Sequence, residues 1–310
     1  MSVASNAAAA RPRSAPLSLY VGVYCLFWSA AFVAGKVAVT YCPPFVVLSL
    51  RFLFAGALIL LIAPLRGLHW NLSRRDVVVF ALLGICNNAV YLGLSYLGLR
   101  TVSAGLAALI ISTNPVLTAV LATMFLGERM SWRKAIGLVL GVAGVAYIVA
   151  DRISLGTDAT SGVVFTLGAL VSMVLGTILY KRLAPQGSLW IGNGVQNAAA
   201  GLVLIPFAAF SDTAAITLNW QLALAFAFLV LFVSVFAYLI WFYLLDAFGA
   251  TAASSFHFLM PPLGMLFGWL ILSEHIAASD LLGVVPVAIG IYLVTRGDRA
   301  RVAVSEEGAI

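Results

Sequence analysis

At 310 residues the chain is long enough for two ordinary soluble domains, but 63% of its residues are hydrophobic, only 9% are charged, and its mean hydropathy is +1.09. That composition excludes a soluble globule and indicates an integral membrane protein. The net charge of +6 does not indicate a nucleic-acid partner, because most of the basic residues fall in short loops, where they report topology.

In chain order, residues 1–16 are small, Ala-rich and carry Arg11 and Arg13, the pattern of a disordered tail. Ten apolar runs follow, at about 17–39, 45–65, 76–98, 102–126, 133–150, 162–183, 188–210, 219–245, 250–272 and 279–296. Each suits a helix crossing ~30 Å of hydrocarbon, and the alternation of a membrane barrel is absent. The loops leave no room for an extramembrane domain. Residues 297–310 read as a second tail.

The fourth and fifth runs recur. Pro115, Glu128, Gly137 and Gly144 return 146 positions later as Pro261, Glu274, Gly283 and Gly290, and Lys36 and Gly56 return 145 positions later as Lys181 and Gly201. The chain therefore reads as a duplicated unit, residues 17–150 and 162–296 joined by a linker at 151–161. Five spans per unit is an odd number, so the second copy enters the membrane upside down. The expected fold is all-α: ten transmembrane helices in two inverted five-helix repeats. Repeats of that kind open alternately to either side in many secondary transporters.

Lys and Arg counts orient the chain. With the N-terminus inside, the inner segments hold Arg11, Arg13, Arg66, Arg74, Arg75, Arg129, Arg133, Lys134, Lys181, Arg182, Arg296, Arg299 and Arg301, against Arg100 and Arg152 outside. Both termini are expected in the cytoplasm. Asn71-Leu72-Ser73 matches a glycosylation sequon but falls on the inner side, where it would carry no glycan.

The segments PVLTAVLATMFLGE (115–128) and PPLGMLFGWLILSE (261–274), each followed by a glycine-spaced helix, resemble the paired EamA domains of the drug/metabolite transporter superfamily. Trp28 to Phe32 with Lys36, and Arg51-Phe52 with Ala55-Gly56, extend the likeness to nearly the whole chain. The resemblance implies ten helices around a central cavity, and overall character is most similar to the aromatic amino acid exporter branch. Met173 and Thr177 replace the Trp and Phe of the opening helix in the second copy, so that motif does not carry over.

Candidate functional residues follow from what a bilayer tolerates. Pro115 and Pro261 lack the N–H that a helix needs four residues on, so spans 4 and 9 are expected to bend there. Polar side chains at mid-span, Asn87, Asn88, Tyr91, Asn114, Gln196, Asn197, Ser255 and His257, serve either as interhelical glue or as a cavity lining. Lys36 and Arg51 are ionisable within spans, where charge marks function by default; snorkelling to the surface is the alternative for Lys36. Trp28 is placed to pack against an apolar or aromatic substrate. No acidic residue lies at a span centre, which suits a substrate bearing a carboxylate and leaves His257 as the mid-span candidate for proton coupling.

Cys25, Cys42 and Cys86 are odd in number and lack metal spacing, and read as packing residues; no metal or cofactor is expected. The glycine faces of spans 5 and 10 are expected to brace the outside of the bundle, and would also serve a homodimer. Neither His-Glu-x-x-His nor Gly-x-Ser-x-Gly is present, against an enzyme. Absence of a cytoplasmic domain weighs against a sensor. The function expected is export of neutral amino acids, aromatic ones included, and related metabolites by alternating access. The alternative is a broader metabolite, drug or nucleotide-sugar type carrier. The partners are a carboxylated small molecule and membrane lipid.

Overall fold

The computed structural model describes residues 17–293 except 128, 129, 155, 157, 279 and 291, and for a few more, Ser255 among them, the backbone alone. Every regular element among the described residues is helical. Seven helices are long and apolar enough to cross a membrane. These are α1 (Leu17–Tyr41), α2 (Pro44–Leu65), α3 (Arg74–Leu99), α4 (Ala104–Leu126), α6 (Thr160–Leu183), α7 (Leu189–Ala209) and α8 (Trp220–Ala250). Helix α5 (Trp132–Ser154) has a shorter apolar part, and α9 (Met260–Leu272) and α10 (Asp280–Gly290) are short apolar helices.

Local chemistry sets the boundaries. Pro44 opens α2, where its fixed φ fits and its missing N–H would have had no partner. Ser73 and Asp76 form a reciprocal capping box at the start of α3. Ser103, Ser188 and Asn219 cap α4, α7 and α8, accepting from the amides of Leu106, Ile191 and Leu222. Gly127, at φ 70°, ends α4 in the left-handed conformation that glycine adopts without a Cβ penalty.

Two helices are wider in the middle than an α-helix. Residues Ile85–Val90 of α3 and Leu229–Ala237 of α8 are π-helical, and the repeat offset of 146 maps the first segment into the second. Wider turns leave carbonyls poorly matched to their own helix, and side chains of other helices take them. Ser172 donates to the Cys86 carbonyl at 2.8 Å, Tyr238 to that of Asn87 at 3.2 Å, and Asn193 to that of Ser234 at 2.9 Å.

Helices α2 and α7 pack most closely against each other. Ser49 donates to the Gly201 carbonyl at 3.0 Å and Trp190 to that of Ile59 at 2.8 Å, while Gly56 faces the Ala198 backbone. Partner numbers fall on α7 as they rise on α2, so the two run antiparallel. Helices α5 and α10 also run antiparallel: Gly137 and Gly141 face Gly290, and Gly144 and Ile148 face Gly283. Those glycine faces pack against one another.

Hydrogen bonds between loops divide the helix ends into two sets. One joins Tyr41 to Thr217, Thr101 to Ala159, Ser103 to Asp158 and Ala104 to Glu274. The other joins Asn71 to Ser188, Arg75 to Leu183 and Asp76 to Gln186. These sets define an Arg100 face and an Arg75 face of the bundle.

Candidate functional site

A cavity lies in the Arg100 half of the bundle, walled by Trp28, Ala31 and Phe32 of α1, Arg51 of α2, Tyr91 to Leu99 of α3, and Val233 and Tyr238 of α8. Arg51 is its charged group, 1% exposed. Its Nε donates to the Ser234 hydroxyl at 2.9 Å and its Nη1 to the Tyr96 hydroxyl at 3.0 Å, while Nη2 has no partner. The described contacts give the guanidinium no carboxylate; the Phe52 ring lies 5.2 Å away. A buried cation whose Nη2 is unpartnered among the described residues, beside a cavity, is arranged to receive an anion.

Aromatic rings supply the opposite wall. Trp28 packs 5.3 Å from Tyr238 and 5.2 Å from Tyr24. His257 sits behind them, 5.0 Å from Trp241 and 5.9 Å from Trp28. Both of its ring nitrogens are engaged, Nδ1 with the Ser254 carbonyl at 3.1 Å and Nε2 with the Tyr24 hydroxyl at 3.0 Å. A carbonyl can only accept, so Nδ1 carries a proton, and in the neutral ring Nε2 accepts from Tyr24. These two bonds tie α1 to the 3₁₀ segment Ser255–Leu259 that precedes α9.

Of the residues singled out in the sequence, Trp28, Arg51 and Tyr91 meet at the cavity. Lys36 lies at its rim with its ammonium committed to the carbonyls of Leu99 and Val102, at 2.6 and 2.7 Å. It closes the C-terminal end of α3, where unpaired carbonyls attract a cation. Asn87 packs into the notch left by Gly176 on α6. Asn114 accepts from Thr118 at 2.7 Å and lies 3.8 Å from the Met173 sulfur. Asn197 donates to Asn193, and Asn88 and Gln196 are fully buried with no side-chain partner in the bundle. The Ser255 side chain and Glu128 lie outside the described residues.

Around Pro115 the helix is interrupted at Ser112–Thr113 and restarts at Asn114. Ser112 and Thr113 turn their hydroxyls back onto the carbonyls of Leu109 and Ile110, at 2.6 and 2.7 Å. Before Pro261 the same role falls to the 3₁₀ segment ending at Leu259.

Sequence reading passed over Ser234 and Tyr96, which hold Arg51, and Tyr24, which holds His257. One signal was available. Ser234 lies 146 positions after Asn88, and Gln196 lies 145 after Arg51, so a polar pair occupies matched places in both repeats.

Helices long and apolar enough to cross a membrane, packed around a cavity walled by aromatic rings and a buried arginine, are the build of a multi-pass membrane protein. The chain belongs to the EamA-like transporter family, whose model matches residues 17–150 and again 160–296. It is 29% identical to YvbV of Bacillus subtilis, an uncharacterized transporter, over 92% of this chain and 93% of the relative. It is 25% identical to a probable amino-acid metabolite efflux pump of Escherichia coli, over 89% of this chain and 94% of the relative. A solved crystal structure shares the fold with a TM-score of 0.66 and 18% identity, covering 91% of this chain and 98% of the other. The family and its relatives are transporters, not enzymes.

Proposed function

We propose that the chain is a secondary carrier exporting neutral amino acids, aromatic ones included, and related carboxylated metabolites by alternating access. One observation carries this reading: Arg51 is buried against an aromatic-walled cavity with, among the described residues, its Nη2 unpartnered and no acidic residue in the cavity lining. A substrate carboxylate would take that donor, and Trp28, Tyr91 and Tyr238 would pack on its side chain. The relative in Escherichia coli described as an amino-acid metabolite efflux pump supports the substrate class. In this conformation the cavity is water-sized rather than substrate-sized, so binding requires its walls to move.

The architecture of the reading is ten membrane crossings in two inverted halves, with both termini on the cytoplasmic side of a bacterial inner membrane. The antiparallel pairing of α2 with α7 and of α5 with α10 supports it, because helices related by a two-fold axis in the membrane plane run in opposite directions. Division of the helix ends into two faces supports it as well. With the basic Arg75 face inside, the cavity lies toward the outer side.

The test is flux from proteoliposomes loaded with labelled amino acids, alongside the amide and des-amino analogue of each transported one. Export of the acids with rejection of the amides is the expected result. Equal handling of acid and amide would overturn the carboxylate reading, and export of neither would overturn the substrate class.

A further inference from the structure

We propose that Glu274 is a positioning residue that holds the cavity shut at the Arg100 face, acting on the loop between α3 and α4 from the opposite half of the chain. The proposal rests on the carrier reading. Ser273 adopts φ 55°, a left-handed conformation rare for a residue with a Cβ, and turns the chain back over the end of α9. The Glu274 amide then donates to the Gly268 carbonyl at 3.1 Å. Its carboxylate lies against Gly268, where a Cβ would collide with it, and accepts from the amides of Ala104 at 2.7 Å and Gly105 at 3.1 Å.

Helix α4 already has a local cap in Ser103, which serves the Leu106 amide. A carboxylate reaching the first two amides from another helix adds what a local cap cannot: a tie between the two halves. The same loop is gripped from other sides. Lys36 of α1 takes the carbonyls of Leu99 and Val102, Asp158 accepts from the Ser103 amide at 2.6 Å, and Ala159 donates to the Thr101 carbonyl at 3.1 Å. Leu99, held in this way, lines the cavity along with Ser95, Tyr96 and Arg51.

Opening at this face separates the end of α9 from the start of α4, so the two hydrogen bonds to Glu274 must break. Charge-assisted bonds are strong while water is excluded and exchange readily for water once it enters. The contact therefore stabilises the closed state at this face without barring the open one.

The test uses the full-length carrier in vesicles, with Cys25, Cys42 and Cys86 replaced and one reporter cysteine introduced. Ser95→Cys reports on the cavity, and Met173→Cys on a buried site in the Arg75 half. Each is labelled from its own face by a membrane-impermeant methanethiosulfonate reagent. Glu274→Gln and Glu274→Ala should speed labelling at position 95 by roughly ten-fold or more, the scale on which lost charge-assisted bonds shift a two-state equilibrium. Labelling at position 173 should not accelerate, and Glu274→Asp should restore much of the slow rate at position 95. Unchanged labelling at 95, or equal acceleration at both positions, would overturn the proposal, the second because it marks general loosening. The readout needs no knowledge of substrate, so a failed carboxylate reading with an accelerated position 95 leaves the gate standing.

Discussion

Arg51 is tolerated inside the bundle because two hydroxyls, of Ser234 and Tyr96, take part of its hydrogen-bonding demand. What is left over is the unpartnered Nη2, and the substrate reading turns on it. Arg51→Gln should weaken carboxylate substrates by about ten-fold to a hundred-fold relative to their amides. Competition flux assays in proteoliposomes measure this, and equal losses for acid and amide would assign Arg51 a purely structural role. His257 leads to a different expectation. Both of its ring nitrogens are engaged, Nδ1 by a carbonyl and Nε2 by the Tyr24 hydroxyl, so neither is open to a passing proton or a water chain. His257→Gln should lower turnover while leaving the shape of the pH profile of transport unchanged, and a shifted profile would make His257 part of a proton path. Lys36 shows why a charged residue in an apolar run misleads. The run marks the charge, but the α3 carbonyls that engage it come from more than sixty residues away and leave no trace near it.

At the scale of the elements, the helix ends and most spans were legible in the sequence, because apolar length, capping residues and glycines are local signals. The π-helical segments were not. Asn87 and Asn88 in ICNNAV and Ser234 in LVLFVSVFA mark polar positions but not a change of helix type, and the wider turn is sustained by Ser172, Tyr238 and Asn193 reaching in from other helices. Close approach of α2 and α7 depends on absent side chains. A Cβ on Gly56 would stand 2.8 Å from the Ala198 amide nitrogen, and backbone cannot move aside as a side chain can. Gly56→Leu should therefore destabilise the carrier by about 1–3 kcal/mol or more, read as a lowered unfolding temperature in detergent. Wild-type stability would contradict the close α2–α7 packing. The interruptions of α4 and α9 carry a prediction of another kind. Pro115→Ala together with Pro261→Ala should slow turnover and leave membrane insertion intact, and unchanged flux would remove the breaks from the transport cycle.

For the whole molecule, the duplication was visible because glycine, proline and glutamate recur at a fixed offset, and it set the expectation of two opposed halves before any contact was known. The cavity was only partly visible. Repeats share a backbone but not a lining: Arg51 in one half stands where Gln196 does in the other, and Trp28 where Met173 does. The cavity is accordingly walled by residues of the first copy, with only α8 contributed by the second.

Opposed threading of the two halves is the claim on which the rest depends, and one measurement reaches it directly. His69 and Ala214 are exposed, lie in corresponding loops 145 positions apart, and sit next to opposite faces of the bundle. Single cysteines at these positions, in a background lacking the native three, would be labelled by an impermeant reagent in right-side-out and inverted vesicles. The account predicts labelling of His69→Cys from the cytoplasmic side and of Ala214→Cys from the other. Labelling of both from the same side would contradict it.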